Sequence, residues 1–355
     1  MSLHDNHFDL TISNIGVISS ANVRIENLTV IGGPNNSGKS TIGKLLMAMI
    51  KSDVISKYKN NKAKSSFEKK TRAKVFCDME AMLFGKKLFR FGSDEGSAKL
   101  EREGNRVYEI TVRDKKPYML DAETNDDSEQ YFRDAMIVST PLIWDMIDLF
   151  RSVQALKEAS SVLNLGQKIR YPYVQWDVFT KLELAKDEEA DSDMDVGNEF
   201  AHKIMDIIAG DFQKNKSGSY NWKPRHGGNY DMVSTASGVK WFGLLLALAR
   251  NGAFRKDRLV ILDEPETHLH PEWQLKMAEL LVFMSKKMHL IVTTHSPYLS
   301  EAIELYSEQT SDVSWHASIP ESDGCIIKHL DCPQEIYEQL YSPIPKLELL
   351  RVNHD

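Results

Sequence analysis

Apolar residues fall along this chain in two patterns. In the first, apolar and polar positions alternate, which places side chains on opposite faces of a half-buried strand. This pattern predicts strands at Phe8–Asn14 and Asn22–Ile31 around a turn at Gly16. It also predicts antiparallel strands at Lys87–Phe91, Ala98–Arg102 and Val107–Val112, the last two joined at Glu103-Gly104-Asn105. In the second, short unbroken apolar runs alternate with helical patterns. The runs are Leu28–Ile31, Ala135–Ser139, Leu259–Leu262 and His289–Thr293; the helices are Ile42–Met49, a stretch from Pro141 to about Leu163, Val239–Leu248 and Pro271–Lys287. Continuous runs of this kind belong to a parallel sheet covered on both faces, so an α/β fold is expected. Tyr220–Val233 is expected to form a hairpin through Gly227-Gly228, and 164–217 to carry helices broken by the acidic run Asp187–Asp195. After residue 300 come one hairpin, Ser314–Ala317 with Cys325–Lys328, and a terminal helix around Pro333–Tyr341. No internal repeat or sustained heptad is visible.

With 355 residues, 42% of them hydrophobic, the chain can bury a large core. No apolar run reaches the length of a membrane span, and Met1–Asp9 is polar, with no signal-peptide core. Cys77, Cys325 and Cys332 have no metal-type spacing and suit a reducing cytoplasm. A net charge of −7 excludes a globally basic nucleic-acid binder. Locally, Lys51–Lys74 holds nine Lys or Arg against Asp53 and Glu68, a candidate contact for nucleic acid or an acidic partner at Lys57–Lys74.

Gly33-Pro34-Asn35-Asn36-Ser37-Gly38-Lys39-Ser40-Thr41 fits G-x-x-x-x-G-K-[ST] between a strand and a helix. Such a loop wraps phosphates with backbone N–H groups at a helix N-terminus; the lysine reaches the outer phosphates and the hydroxyl at Ser40 takes a place on Mg²⁺. Leu259–Leu262 followed by Asp263-Glu264 has the form of a Walker B strand, with Asp263 on the metal side and Glu264 placed to orient water. Thr293-Thr294-His295-Ser296-Pro297 ends another buried strand at a histidine able to sense a terminal phosphate. Ser234–Lys240 places Ser237-Gly238 at a helix start, a further anion site.

In this order the four motifs resemble ATP-binding-cassette ATPases, closest to the SMC-, RecF- and OLD-type branch. Asp263–Pro271 looks like that branch's D-E-P-E-x-x-L-H-P element, and Ser237-Gly238 like a shortened signature motif without its second glycine. The resemblance implies a P-loop ABC-type ATPase head with an N-terminal antiparallel β subdomain and an inserted helical lobe. Its parts would be an N-terminal ATPase lobe at 1–127, the helical lobe at 128–217, and a C-terminal lobe at 218–355. ATP and Mg²⁺ are the implied cofactors. The implied catalytic residues are Glu264 and His295. Gly33, Asn35–Thr41, Ser237 and Gly238 would contact nucleotide, and Ser40 and Asp263 the metal. By order the family's Q-loop glutamine belongs near Ser139-Thr140-Pro141, where none occurs.

The segment between loop and signature is too short for a coiled-coil arm, and the stretch after His295 too short for a nuclease domain. That profile resembles stand-alone ATPase subunits of bacterial phage-defence systems of Septu-like, retron-associated and abortive-infection type. It implies a cytoplasmic homodimer joined through ATP and a separate nuclease or toxin as effector. An ATP-dependent scaffold with negligible turnover and a RecF-like DNA-repair factor remain the alternatives.

Overall fold

The computed structural model describes residues 7–62, 71–85, 88–90, 92–113, 116–120, 131–162, 170–183, 191–215, 218–308 and 313–342. The chain opens with β1 (Phe8–Ile15), β2 (Ile18–Ile25), β3 (Leu28–Gly32), α1 (Lys39–Lys62) and α2 (Arg72–Leu83). Strands β4 (Glu95–Arg102), β5 (Asn105–Arg113), β6 (Lys116–Leu120) and β7 (Asp134–Val138) follow. Next come α3 (Ile143–Val162), α4 (Tyr173–Glu183), α5 (Asp191–Ile208), β8 (Gly210–Lys214), β9 (Tyr220–Pro224) and β10 (Tyr230–Asp231). The remainder is α6 (Ser237–Arg250), β11 (Arg258–Asp263), α7 (Pro271–Ser285), β12 (His289–Thr294), α8 (Pro297–Ser307), β13 (Val313–Glu321), β14 (Gly324–Leu330) and α9 (Gln334–Tyr341).

Among the described residues one 11-stranded sheet runs β6-β5-β4-β1-β2-β14-β13-β3-β12-β11-β7, and a separate three-stranded sheet runs β10-β9-β8. From β7 to β13 all neighbours are parallel. From β2 to β6 all are antiparallel. The β13–β14 hairpin lies between these halves, parallel to β3 on one side and to β2 on the other. The expected antiparallel subdomain and nucleotide core are thus one continuous sheet, closed by the C-terminal hairpin.

Both faces of the parallel half are covered, which is why its strands are unbroken apolar runs. In β11, Val260 and Leu262 pack on the side of α3, α6 and α7, while Leu259 and Ile261 pack on the side of α1. Strands β1 and β2 alternate instead, with Phe8, Leu10, Ile12, Ile15, Ala21, Val23 and Ile25 buried. Helix α6 is buried from Trp241 to Ala249, since it lies between the sheet and the other helices.

Several expectations are corrected. Asn22–Ile31 is two strands, parted at Glu26-Asn27, where Thr29 Oγ1 accepts from the Glu26 amide at 3.0 Å. The hydrophobic pattern ran through this point because both strands are buried, but they lie on opposite sides of the hairpin. Of Lys87–Phe91, the described part makes only a bridge from Phe89 to Ile15. The segment expected as a helical lobe, 128–217, also contains β7, which pairs with β11 in the main sheet, and β8. The acidic run does not separate helices throughout, because Asp191–Asp195 begins α5. Helix α8 was not foreseen, although Ser296 caps it through Leu299 N and Pro297 occupies its first turn. The polar stretch Asp121–Glu129, expected as a loop, lies outside the described residues. None of the described helices is long and apolar enough to cross a membrane.

Helix α9 closes the sheet behind β3. Ile336 is fully buried, and a Cβ added at Gly32 would stand 2.4 Å from its Cγ2. Ile336→Ala is expected to lower stability by about 2–5 kcal/mol, as for other aliphatic truncations in cores. Gly32→Ala, destabilising in the wild type, is expected to cost much less once Ile336 is alanine. Denaturant midpoints of the two single variants and the double variant check this; strictly additive effects would contradict the contact.

Candidate functional site

The parallel register sets the site. Ile31 of β3 lies opposite Thr293 of β12, and Thr293 opposite Asp263 of β11. Three strands therefore end at one level, and the turns leaving them converge. The loop after β3 is shaped by residues that tolerate unusual backbone. Gly33 has φ +150° and Gly38 φ +88°, and Asn36 takes a left-handed φ of +59°. A side chain at Gly33 would collide with Ser318 O at 2.6 Å, and one at Gly38 with Ile18 Cγ1 at 2.7 Å. Ser37 Oγ donates to Pro34 O at 2.7 Å, and Ser318 Oγ donates to Ser37 O, so β13 braces the loop from behind. Asn35 and Asn36 stay exposed at its crest. Helix α1 begins at Lys39, and the Thr41 amide donates to Gly38 O at 3.0 Å.

Lys39 is 3% exposed and curls into its own loop, donating to Gly33 O at 2.9 Å and Pro34 O at 2.7 Å. Burial lowers its pKa from the usual lysine value, opposed by the charges of Glu264, Glu266 and Asp263. Ser40 Oγ donates to Asp263 Oδ1 at 2.9 Å, and Thr293 Oγ1 donates to the same oxygen at 2.6 Å. The loop hydroxyl and the strand-end carboxylate, 223 positions apart in sequence, are thus in direct contact.

Glu264 leaves the strand with φ +53°, its amide donating to Thr293 O at 3.0 Å. A non-glycine residue in that region is uncommon, and here β12 holds it there. His295 Nδ1 lies 3.6 Å from Glu264 Oε2 and 3.3 Å from Glu266 Oε1. The sequence assigned no role to Glu266, yet it organises this corner. It is buried, and its Oε1 accepts from Thr294 Oγ1 at 2.7 Å and from the His295 amide at 2.8 Å. Burial raises its pKa above the usual carboxylate value, against these hydrogen bonds and the nearby His295, which lower it. The available signal was its place in D-E-P-E, two residues beyond Glu264 in a turn closed by Thr267 N→Glu264 O at 3.0 Å.

Ser237 and Gly238 begin the first turn of α6, Ser237 exposed and Gly238 half-buried. A Cβ at Gly238 would meet Trp273 at 3.3 Å and Leu269 at 3.4 Å, and Trp241 Nε1 donates to Thr267 O at 3.1 Å. These contacts fix α6 to the far end of the Glu264–Leu269 turn. No described hydrogen bond joins Ser237 or Gly238 to the loop 33–40.

A cleft of about 270 Å³ opens beside Asp263. Ser139, Lys44 and Gln175 share its wall, and Gln175 was not singled out in the sequence because it lies far beyond the end of β7. The basic stretch is partly internal: Lys57 Nζ is 3.3 Å and Arg72 Nε 2.7 Å from buried Asp53, while Lys74 is exposed. Lys64, Lys69 and Lys70 lie outside the described residues, and only the backbone of Lys59 and Lys62 is described.

The loop and the Ser40–Asp263 pair fit a magnesium nucleotide. Loop amides and Lys39 suit phosphate oxygens, and hydroxyl and carboxylate oxygens suit Mg²⁺. Among the described residues no group of three or more His, Cys, Asp or Glu gathers to hold a metal by itself.

The fold is that of a P-loop ATPase head of the SMC type. The chain belongs to the family described as "AAA domain, putative AbiEii toxin, Type IV TA system", which matches residues 101–301. Its fold is that of the Smc head domain from Pyrococcus furiosus solved with an extended coiled coil bound to the C-terminal domain of ScpA. That match has a TM-score of 0.50 at 14% identity, over 97% of this chain and 98% of that one. The Smc head domain with a coiled coil and joint from Pyrococcus yayanosii matches with a TM-score of 0.50 at 11% identity, over 96% and 99%. Septu protein PtuA of Bacillus thuringiensis is 46% identical over 44 residues, 12% of this chain and 11% of that protein's length.

Glu266→Gln keeps an acceptor for Thr294 and His295 while removing the buried charge. In the wild type the raised pKa of Glu266 contributes stability at low pH that is lost as pH rises above the unfolded carboxylate value. The stability difference between variant and wild type is therefore expected to shift in the variant's favour from pH 4 to pH 7. Unfolding followed at both pH values checks it; a pH-independent difference would contradict the assignment.

Proposed function

We propose that this chain binds ATP with Mg²⁺ and hydrolyses it, working as a nucleotide-sandwich dimer that controls a separate effector in phage defence. The observation that carries the proposal is the Ser40–Asp263 contact, which joins a phosphate loop to a strand-end carboxylate with Glu264 and His295 alongside. Bound Mg²⁺ would neutralise charge developing on the phosphates. Gly33, Asn35–Thr41 and the Lys39 ammonium bind and orient phosphate, with Ser40 and Asp263 on the metal. Lys39 would exchange its bonds to Gly33 and Pro34 carbonyls for phosphate oxygens. Glu264 accepts the proton of the attacking water, and His295, set between Glu264 and Glu266, orients that carboxylate and meets the terminal phosphate. Gln175, in the cleft with Asp263, supplies the amide that sequence order placed nowhere.

Gly238 packs against Trp273 and Leu269 at the far end of the Glu264–Leu269 turn and Ser237 beside it is exposed, which supports a role in completing a second protomer's site. The defence role is supported by the short match to Septu protein PtuA and by the toxin description of the family. The effector would be a nuclease or toxin encoded as a separate chain.

Glu264→Gln is expected to retain ATP binding and to lose on the order of 10²-fold or more in turnover, the reach of general-base work. Lys39→Ala is expected to lose nucleotide binding itself. Titration calorimetry with phosphate-release assays separates these, and wild-type turnover in Glu264→Gln would contradict the role of that carboxylate. For assembly, Glu264→Gln with ATP and Mg²⁺ is expected to sediment as a dimer, and Ser237→Arg added to it as a monomer. A dimer indifferent to nucleotide and to Ser237→Arg would contradict the sandwich.

A further inference from the structure

Four charges, buried Lys51, Asp177 and Lys181 with half-buried Asp134, form a closed ring behind the site. Lys51 Nζ lies 2.6 Å from Asp134 Oδ1 and 2.7 Å from Asp177 Oδ1. Lys181 Nζ lies 2.8 Å from Asp134 Oδ2 and 3.1 Å from Asp177 Oδ2. Each ammonium touches both carboxylates and each carboxylate both ammoniums, so the ring is neutral. Burial alone would lower the pKa of Lys51, but Asp177 and Asp134 raise it above the usual lysine value. The same lysines hold Asp134 well below the usual carboxylate value, against its own burial. Lys51 and Asp134 are therefore both held in their charged forms.

The ring's members come from three elements that meet at the nucleotide site. Lys51 is on α1, the helix that starts at the phosphate loop. Asp134 begins β7, whose C-terminal end leads to Ser139 in the cleft beside Asp263. Asp177 and Lys181 are on α4, whose first turn carries Tyr173, Val174 and Gln175 into the same cleft. A hydrophobic contact would let α4 slide on β7, whereas a ring of four paired charges has one register, because any shift leaves a buried charge unpaired.

We infer that the Lys51–Asp134–Asp177–Lys181 ring is a positioning strut that fixes Gln175 beside Asp263 and couples the placement of α4 to ATP hydrolysis. A single residue, Trp176, separates Asp177 from Gln175, so a displacement of α4 at the ring withdraws the amide from the cleft. A partner bound to the helices α3–α5 would gain a route to the site through this single charged joint. The role rests on the hydrolysis proposed above.

The test uses the full chain with Gln175→Ala, the charge-neutral pair Asp177→Asn/Lys181→Met, and all three changes together. The neutral pair leaves Lys51 with Asp134 and so strands no charge. It is expected to lower kcat by about 10- to 100-fold, the scale of misplaced groups, with ATP affinity within about three-fold of wild type. Gln175→Ala is expected to do the same, and the triple variant to be no slower than about two-fold below the slower of the two, because groups acting through one another are not additive. Hydrogen exchange is the readout independent of activity: amides in the first turn of α4 are expected to exchange at least about ten-fold faster in the neutral pair, with those of β11 unchanged. A neutral pair with wild-type kcat, or effects that multiply in full, would overturn the strut. Unchanged exchange at α4 would overturn it as well. A wild type that exchanges as expected but releases no phosphate would instead overturn the hydrolysis on which the role rests.

Discussion

The register of three parallel strands decides where everything else falls. Because Ile31, Thr293 and Asp263 sit side by side across β3, β12 and β11, the turns that follow these strands open at one edge. Slipping one strand by a single residue would turn Asp263 or Thr293 to the other face, since side chains alternate along a strand. Burial of both faces forbids the slip: Val260 and Leu262 pack on one side, Leu259 and Ile261 on the other. The hydrophobic core thus acts at a distance on the chemistry, by fixing which carboxylate oxygen Ser40 reaches.

The C-terminal hairpin ties this edge to the rest of the molecule. It occupies the place between β3 and β2, and through Ser318 and Cys325 it forms the wall behind Ser37 and Gly38. The loop's glycines are set by that wall as much as by any ligand. The acidic corner is electrostatically tuned in the same economy of contacts. Buried Lys39 faces Asp263, Glu264 and Glu266, and buried Glu266 holds the His295 backbone while meeting its ring. The two buried groups are pushed by burial towards neutrality, Lys39 downward in pKa and Glu266 upward. A divalent cation and a polyanion brought to this corner would change the charge balance on both.

Much of this was legible in the residues. Local signals carried it: the glycine loop between strand and helix, apolar runs ending in Asp263-Glu264 and in Thr294-His295, and the hairpin turn at Glu103-Gly104. What stayed hidden depends on contacts distant in sequence. Gln175 reaches the cleft only because α4 folds back along β7, and no spacing rule connects it to Asp263. Glu266 stood in the D-E-P-E element without a role, and only the burial of its side chain against the His295 amide gives it one. The ring of Lys51, Asp134, Asp177 and Lys181 comes from three segments whose charges look solvent-facing in one dimension. In the basic stretch, Lys57 and Arg72 turn towards Asp53, a pairing that sequence alone does not show.

The central claim is that the edge shared by β3, β11 and β12 is a site of ATP hydrolysis. Phosphate release from ATP by the purified wild-type chain, measured with Mg²⁺ and again with the metal chelated, tests it most directly. The account predicts saturable release that requires Mg²⁺. A folded protein that binds ATP and Mg²⁺ yet releases no phosphate would contradict it, and would leave nucleotide as a ligand that joins protomers without being consumed.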